Sequence, residues 1–371
     1  MKVAVVAGAF HRARQGVYGS ESQAAVLARG FERAGHAVTF IAAAGSDPVG
    51  RFLPVPCMYG IIYPNEETKG YDWYKGELRE MDFIVDWSGT HRVAEEMYFW
   101  ERERFKGVLV WSHQGNTFTS PRPPAINYFH GTVVSEAQKE HAFAHWIFNT
   151  TPPRRERVHV LPYGIDTETY HPAANPTRDY FLYLSRPVKD KGIFEFLELA
   201  RDFPNERFVM AFDMAAPDHV EQGTEAIRQA KADHPNVEYV PLKGSVETKV
   251  RLYQNAKALV TPLAKSYLEG FGLVFAEAMA CGTPCITATH GGQVDVIGDL
   301  GGLCETHEQY VEAIRSVAEG LPFDPAEKVR ERIVRKFGIE RWVAAYLKLY
   351  AKIRREQDTP EWTPLPDWMF A

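Results

Sequence analysis

Short runs of β-branched and aromatic residues alternate with longer amphipathic stretches along the whole chain. At the N-terminus, residues 2–7 predict a buried strand, residues 21–34 carry apolar side chains at helical spacing, and residues 37–42 predict a second strand. This order predicts a βαβ unit. Further strands are predicted in this first half at 83–86, 108–111, 132–135 and 158–161.

A second series of the same kind begins near Tyr180. Its predicted strands are 180–184, 208–212, 237–240, 258–261 and 285–287, and its predicted helices are 194–201, 224–232, 247–256 and 273–280. Continuous apolar strands that alternate with helices are typical of parallel sheets covered on both faces. We therefore expect an α/β protein with two doubly wound domains, 1–168 and 169–345, joined near 166–177.

Composition and charge exclude several classes of function. The 371 residues include 42 Lys and Arg against 48 Asp and Glu, a formal net charge of −6, so no nucleic-acid partner is expected. Cys57, Cys281, Cys285 and Cys304 contain no CxxC spacing and are expected to be reduced core residues. No run of 18 apolar residues occurs, and the short apolar start is not a convincing signal peptide. We expect a cytoplasmic protein.

The most informative stretch is residues 269–284, EGFGLVFAEAMACGTP, which follow a predicted strand and enter a predicted helix. Gly270 and Gly272 let a ligand approach the backbone, and the first N–H groups of a helix favour an anion. Glu269 precedes the helix and Glu277 follows about two turns later. Carboxylates at these positions can accept hydrogen bonds from sugar hydroxyls.

This stretch resembles the signature of retaining nucleotide-sugar glycosyltransferases of the GT-B fold, glycosyltransferase family 4. That signature reads E-G-F-G-L-x-x-x-E-A-M-A-x-G-x-P, and the chain matches it at every fixed position. Residues 185–192, SRPVKDKG, resemble the family's G-R-x-x-x-x-K-G, with Ser185 in place of the usual glycine. Residues 133–138, 161–172 and 290–295 resemble other segments of the family, the last with Asp295 in place of Glu.

The resemblance at the N-terminus is looser. The family carries Gly-Gly-x-Glu in its first strand-to-helix loop, whereas this chain has Gly16-Val17-Tyr18-Gly19-Ser20-Glu21, with Tyr18 at the first glycine. Gly16 and Gly19 are the residues expected to contact the donor there. His113 resembles the family's strand-end histidine that reaches the transferred sugar.

The resemblance implies two Rossmann-like domains that face a cleft, and a C-terminal segment, 346–371, that returns to the first domain. It implies that Arg186 and Lys191 bind the diphosphate of an α-linked UDP-, GDP- or other nucleoside diphosphate sugar, as catalytic residues together with Glu269 and His113. Glu277 is expected to hold the ribose hydroxyls. The remaining donor contacts are expected from the EGFG loop and helix start: Gly270, Phe271, Gly272, Leu273 and Val274.

The expected reaction is retaining transfer of the sugar to an unidentified acceptor hydroxyl of a sugar, glycan, lipid or small molecule. No metal is expected, because the chain contains no Asp-x-Asp motif. No nicotinamide or flavin cofactor is expected, because the first predicted strand is not followed by G-x-G-x-x-G. Two alternatives stay open: a GT-B sugar-nucleotide 2-epimerase and a catalytically silent sugar-nucleotide-binding protein.

The acceptor side offers weaker signals. An aromatic group could stack on an acceptor or could be core packing: Tyr59, Tyr63, Tyr71, Trp73 and Tyr74. The apolar run 97–100 has acidic neighbours, among them Glu95, Glu96 and Glu101, which would repel an anionic membrane. No strong membrane signal is present.

Overall fold

The computed structural model describes residues 1–8, 12–13, 19–56, 64–88, 92–101, 104–113, 128–145, 153–214, 217–321 and 324–357. For residues 20–21, 64–70, 92 and 100 it describes the backbone alone. The chain forms two compact units. The first contains Met1–Gly164 together with the C-terminal segment from Ile339, and the second contains Ile165–Gly338.

The described part of the first unit contains a seven-stranded parallel sheet in the order β3-β2-β1-β4-β5-β6-β7. The strands are β1 Lys2–Ala7, β2 Ala37–Ala43, β3 Arg51–Val55, β4 Phe83–Trp87, β5 Val108–Ser112, β6 His130–Val133 and β7 Val158–Val160. The α-helices that the structure describes before the second unit are α1 Gly19–Arg33, α2 Pro64–Leu78, α3 Arg92–Glu96 and α4 Glu136–Ala144. A π-helical turn, Met97–Glu101, extends α3. The central strands are buried on both faces, as their continuous apolar sequence predicts.

The second unit contains a six-stranded parallel sheet among its described residues, in the order β10-β9-β8-β11-β12-β13. The strands are β8 Tyr180–Leu184, β9 Arg207–Phe212, β10 Val237–Pro241, β11 Ala256–Thr261, β12 Cys285–Ala288 and β13 Gly302–Cys304. The helices are α5 Ile193–Asp202, α6 Pro217–Asp233, α7 Val246–Asn255, α8 Leu273–Ala280, α9 Gln293–Ile297, α10 His307–Ala318 and α11 Ala326–Phe337. The two-unit α/β architecture predicted from the sequence is confirmed.

The last helix, α12 Ile339–Gln357, belongs to the first unit. A Cβ on Gly30 of α1 would lie 2.6 Å from the Val343 Cγ2 atom, so α1 and α12 approach closely at this glycine. The Tyr346 hydroxyl lies 3.2 Å from Thr132 Oγ1 of β6. The C-terminal helix therefore returns to the first unit, as the resemblance implied.

Strand β6 begins and ends two residues before its predicted bounds. Residues 132–135 were expected to form it, but β6 is His130–Val133, and Ser135 caps α4 instead. The Ser135 Oγ atom accepts a hydrogen bond from Gln138 N at 3.0 Å, a common N-cap contact. The hydroxyl therefore ends the extended segment two residues early.

The structure tests the predictions about the aromatic group and the acidic residues of the first unit. Tyr71 and Tyr74 pack in its core with ring centroids 5.6 Å apart, whereas Trp73 is exposed; Tyr59 and Tyr63 lie outside the described residues. Glu95, Glu96 and Glu101 are buried, so they do not present the acidic surface that the sequence suggested.

The remaining sequence-level expectations concern thiols and membranes. Cys281, Cys285 and Cys304 are buried free thiols, and Cys57 lies outside the described residues. Among the helices that the structure describes, none combines the length and the apolar character that crossing a membrane requires.

Candidate active site

The predicted site residues of the second unit lie on loops that leave adjacent parallel strands. The loop after β8 carries Arg186 and Lys191, the loop after β11 carries Glu269 to Gly272, and the loop after β12 carries His290 to Gly292. The strands β8, β11 and β12 are neighbours in the sheet. The carboxyl ends of such strands are where open α/β sheets bind ligands.

The loop after β8 and the loop after β11 are in direct contact. Gly192 has φ of 76°, and a Cβ there would lie 2.0 Å from the Pro262 carbonyl oxygen. Ala264 N donates a hydrogen bond of 3.1 Å to Asp190 O. The left-handed backbone and the lack of a side chain at position 192 permit this close approach. It brings the cationic loop against the loop that carries Glu269.

Four side chains from these two loops form the centre of the candidate site. Lys191 is buried and forms a salt bridge with Glu269, and its Nζ atom lies 4.4 Å from the centroid of the Tyr267 ring. Arg186 Nη2 donates to the Tyr267 hydroxyl at 3.1 Å. The Arg186 carbonyl in turn accepts from the buried Tyr183 hydroxyl at 2.7 Å. The structure therefore brings three of the predicted catalytic residues together: Arg186, Lys191 and Glu269.

The helix α8 begins directly beside this cluster. Gly272 precedes the helix with φ of 83°, and a Cβ there would lie 2.4 Å from Phe275 Cδ2. Leu273 and Val274 occupy the first turn, whose amide groups have no intrahelical acceptor. Together with the helix dipole, these groups favour a negative charge at this end of α8.

Glu277 lies further along α8 and is buried against α7. Its Oε2 atom lies 2.8 Å from Lys249 Nζ and accepts a hydrogen bond of 2.9 Å from the Tyr253 hydroxyl. Burial, with the neighbouring Glu277 carboxylate, raises the pKa of Tyr253 and of Tyr170 well above the usual value. Both phenols are therefore neutral donors near the carboxylate at neutral pH, and they fix its position.

The loop after β12 supports the other two. Gly292 N donates a hydrogen bond of 2.6 Å to Glu269 O. His290 Nε2 lies 3.1 Å from Ala264 O and 3.1 Å from Tyr267 O. These contacts fix the backbone on both sides of Tyr267 and at Glu269.

The predicted residues of the first unit are described separately. His113 directly follows β5 and is buried, and its N–H donates to Thr132 O at 2.8 Å. Gly19 is the first residue of α1, and Gly16 lies outside the described residues. Their expected contacts with the donor stay predictions.

The sequence reasoning missed Tyr267, Lys249 and Tyr253. Tyr267 lies only two residues before Glu269, but no motif marks it, and its role depends on contacts with a different loop. Lys249 and Tyr253 lie four residues apart on α7, so the helical period places them on one face. That face meets Glu277 only through tertiary packing.

Within the parts of the chain that the structure describes, no group of three or more His, Cys, Asp or Glu side chains is arranged to hold a metal ion.

Comparison with known proteins identifies the second unit. Residues 166–335 match the sequence profile described as "Glycosyl transferases group 1". The matched residues lie within the second unit, Ile165–Gly338. A curated relative, the probable sucrose-phosphate synthase of Thermosipho melanesiensis, is 26% identical over 239 residues. The alignment covers 62% of this chain and 56% of that protein, so the chain matches little more than half of its relative's length.

Solved structures show the same fold. Sucrose-phosphate synthase from Thermosynechococcus elongatus aligns with a TM-score of 0.75 at 17% identity, covering 96% of this chain and 99% of that chain. Anabaena HepE in complex with UDP and glucose aligns with a TM-score of 0.72 at 14% identity, covering 95% and 100%. The chain therefore has the GT-B fold.

Proposed function

We propose that this protein is a retaining, metal-independent glycosyltransferase. Its donor is an α-linked nucleoside diphosphate sugar, and its acceptor is a hydroxyl group of a molecule that the first unit binds. The observation that supports this most directly is the convergence of Arg186, Lys191, Glu269 and the start of α8 at the ends of adjacent strands. The match of residues 166–335 to the "Glycosyl transferases group 1" profile supports it independently.

The reaction follows from the charges at this cluster. The acceptor oxygen forms a bond to the anomeric carbon while the bond from that carbon to the diphosphate oxygen breaks. The electron pair of the broken bond stays on the diphosphate, so negative charge grows there. Arg186, Lys191 and the first amides of α8 offset that charge. The acceptor attacks the face from which the diphosphate departs, so the configuration is retained without an enzyme nucleophile. The departing phosphate takes the acceptor proton, so no separate enzyme base is needed.

The two carboxylates have separate tasks in this proposal. Glu269, beside Lys191, orients the transferred sugar through its hydroxyl groups. Glu277, held by Lys249 and Tyr253, accepts hydrogen bonds from the ribose hydroxyls. A carboxylate that is already fixed loses little conformational entropy when it binds a hydroxyl, which favours affinity.

The donor test uses UDP-glucose, GDP-mannose and ADP-glucose. Each is incubated with the protein alone and with L-malate or D-inositol 3-phosphate. These two molecules appear in the names of similar proteins, N-acetyl-alpha-D-glucosaminyl L-malate synthase and D-inositol 3-phosphate glycosyltransferase. Release of the nucleoside diphosphate, slow without acceptor and faster with one, is the expected result. Formation of a sugar epimer would instead support the 2-epimerase alternative, and binding without turnover would support the silent binding protein.

The metal and stereochemical parts of the proposal need their own measurement. Activity is expected to persist in excess EDTA, because two side-chain cations and a helix start already provide a positive field. NMR of the product should show an α anomer from an α donor. Loss of activity on chelation that Mg²⁺ or Mn²⁺ restores would contradict the metal-independent mechanism, and a β product would contradict retention.

A further inference from the structure

Tyr267 lies between the two cations of the candidate site. Its hydroxyl accepts a hydrogen bond from Arg186 Nη2 at 3.1 Å, and the Lys191 Nζ atom lies 4.4 Å from its ring centroid. The two contacts use different parts of one side chain: the oxygen at the tip and the face of the ring. Tyr267 is therefore in contact with both groups that are proposed to hold the diphosphate.

The chemistry of tyrosine suits this position. Two cations that converge on one diphosphate repel each other, and a carboxylate placed between them would neutralise the charge that the diphosphate needs. A tyrosine attracts both cations through its hydroxyl oxygen and its negative ring face without carrying a charge itself. It can therefore hold the two cations close together without adding a second negative charge to the one that Glu269 already places beside Lys191.

The backbone around Tyr267 is fixed. Tyr267 N donates a hydrogen bond of 2.9 Å to Ala264 O, which closes a turn. His290 Nε2 lies 3.1 Å from the carbonyl oxygens of both Ala264 and Tyr267. The turn is thus held from the adjacent loop after β12, and a fixed turn gives the ring a defined place.

We propose that Tyr267 is a positioning residue that sets the geometry of Arg186 and Lys191 for the diphosphate. The inference rests on the proposed function, because it assigns these two cations to the diphosphate. Tyr267 itself contacts no reacting atom in this scheme. It acts through Arg186 by its hydroxyl and through Lys191 by its ring.

The test separates these two contacts. Tyr267→Phe removes the hydroxyl and keeps the ring, whereas Tyr267→Leu removes both. Binding of UDP, GDP, ADP and inorganic pyrophosphate is measured by calorimetry in buffer without divalent metal. Tyr267→Phe should weaken the binding of pyrophosphate and of the cognate nucleotide roughly three- to tenfold, and Tyr267→Leu should weaken it further.

A double-mutant cycle distinguishes positioning from a general structural role. In an Arg186→Ala background, Tyr267→Phe should have no further effect on affinity, because the hydroxyl no longer has its guanidinium partner. In a Lys191→Ala background, Tyr267→Phe should still weaken binding. Equal losses in all three backgrounds, or a loss that follows the melting temperature, would overturn the proposal.

Pyrophosphate separates this inference from the proposed function. If pyrophosphate binding shows the predicted coupling but no nucleotide sugar is turned over, the proposed reaction is wrong and the role of Tyr267 stands. If nucleotide sugars are turned over and the coupling is absent, Tyr267 is not a positioning residue. If the wild-type protein binds neither pyrophosphate nor any nucleotide, the two cations form no diphosphate site and both proposals fail.

Discussion

Arg186 and Lys191 differ in how the fold holds them. Arg186 is exposed, and the contact from its side chain to Tyr267 is a single hydrogen bond, whereas Lys191 is buried between Glu269 and the Tyr267 ring. A sequence motif can predict that both residues leave the same strand. It cannot predict this difference, because the burial of Lys191 depends on the loop after β11.

Replacing either cation with alanine tests their assignment. Arg186→Ala and Lys191→Ala should each weaken nucleoside diphosphate binding by about 1.5–3 kcal/mol, the usual value of a charge-assisted contact. Calorimetric titration measures the loss, and Lys265→Ala, which replaces an exposed lysine of the loop after β11, is the control. Unchanged affinity in both variants would remove them from the diphosphate site.

The two carboxylates are tested as a pair. Glu269→Gln should reduce turnover of the nucleotide sugar much more than it reduces affinity for the free nucleoside diphosphate, since its proposed partner is the sugar. Glu277→Gln should weaken binding of the free nucleoside diphosphate. If Glu269→Gln leaves transfer intact, the division of roles between the carboxylates is wrong.

Glu277 also has a structural task, which must be separated from binding. Its removal leaves the buried Lys249 ammonium without its carboxylate partner, which costs about 3–5 kcal/mol for a buried pair. The double variant Lys249→Met/Glu277→Gln removes that unpaired charge. The double variant should melt at nearly the temperature of the wild-type protein and should still bind nucleotide more weakly than the wild-type protein does. That result would assign the loss of binding to the carboxylate itself.

At the scale of elements, the sequence predicts strands with continuous apolar runs better than very short or half-exposed strands. The strands β1, β4 and β8 have continuous apolar sequences, and they were predicted within a residue of their observed ends. The edge strands β3 and β13 were not predicted. Edge strand β3 contains Pro54 and is half exposed, and β13 has three residues, so neither carries a clear periodic pattern.

The same limit applies to the site. The glycines and charged residues of the motifs were predicted, because each lies at a fixed offset within one loop. The contacts of Tyr267 with Arg186 and of Lys249 with Glu277 join separate elements. Because the contacting residues are far apart in the sequence, no local sequence pattern predicts these contacts.

Replacing Gly192 tests whether its close approach to Pro262 holds the loops after β8 and β11 together. Gly192→Ala should cost about 1–2 kcal/mol for the left-handed backbone and a further ~1–3 kcal/mol for the contact with Pro262 O. The matched control is Gly320→Ala, where φ is 79° and a Cβ meets nothing within 4 Å. At Gly320, only the free-energy cost of the left-handed backbone is expected.

The two variants should also differ in ligand binding. Because the clash at position 192 separates the two loops of the site, Gly192→Ala should lose nucleoside diphosphate affinity, whereas Gly320→Ala should keep it. Thermal melting and calorimetric titration measure the two effects. Equal destabilisation in both variants, with binding retained in both, would show that the close approach at Gly192 does not set the site.

At the scale of the whole molecule, the chain crosses from the first unit to the second near Gly164 and returns near Ile339. The pattern of strands and helices predicted two α/β units, whereas the return of the last helix came only from the family resemblance. An amphipathic helix such as α12 shows that one face is buried but not which unit buries it. Here that face meets α1, through Gly30, and Thr132 of β6.

The end of α12 lies beside a histidine pair of the same unit, in which His130 is buried and His159 is half-buried. His130 Nδ1 lies 2.9 Å from His159 Nε2, and His130 Nε2 lies 3.2 Å from the Glu356 carboxylate of α12. Burial is the main cause that lowers the pKa of His130 to about 3 and that of His159 to about 4. The cations of Lys352, Arg157 and Lys139 lower these pKa values further.

These pKa values predict a loss of stability in mild acid. Above pH ~6.5 both imidazoles are neutral in the folded and unfolded states, so the full stability is present. As pH falls from about 6.5 towards 4, the unfolded chain binds two protons that the folded chain does not, and the free energy of unfolding decreases. The limiting slope is about 1.4 kcal/mol per pH unit for each histidine.

Hydrogen exchange of the β6 and β7 amides between pH 7 and pH 5, corrected for the intrinsic pH dependence of exchange, reports the stability of the first unit directly. The wild-type protein should lose protection in these strands as pH falls, and the variant His130→Gln/His159→Gln should lose much less over the same range. His171→Gln, which removes an exposed histidine of the second unit, should behave like the wild-type protein. If the double variant keeps the wild-type slope, other groups carry the pH dependence, and the histidine pair does not link α12 and the sheet to pH.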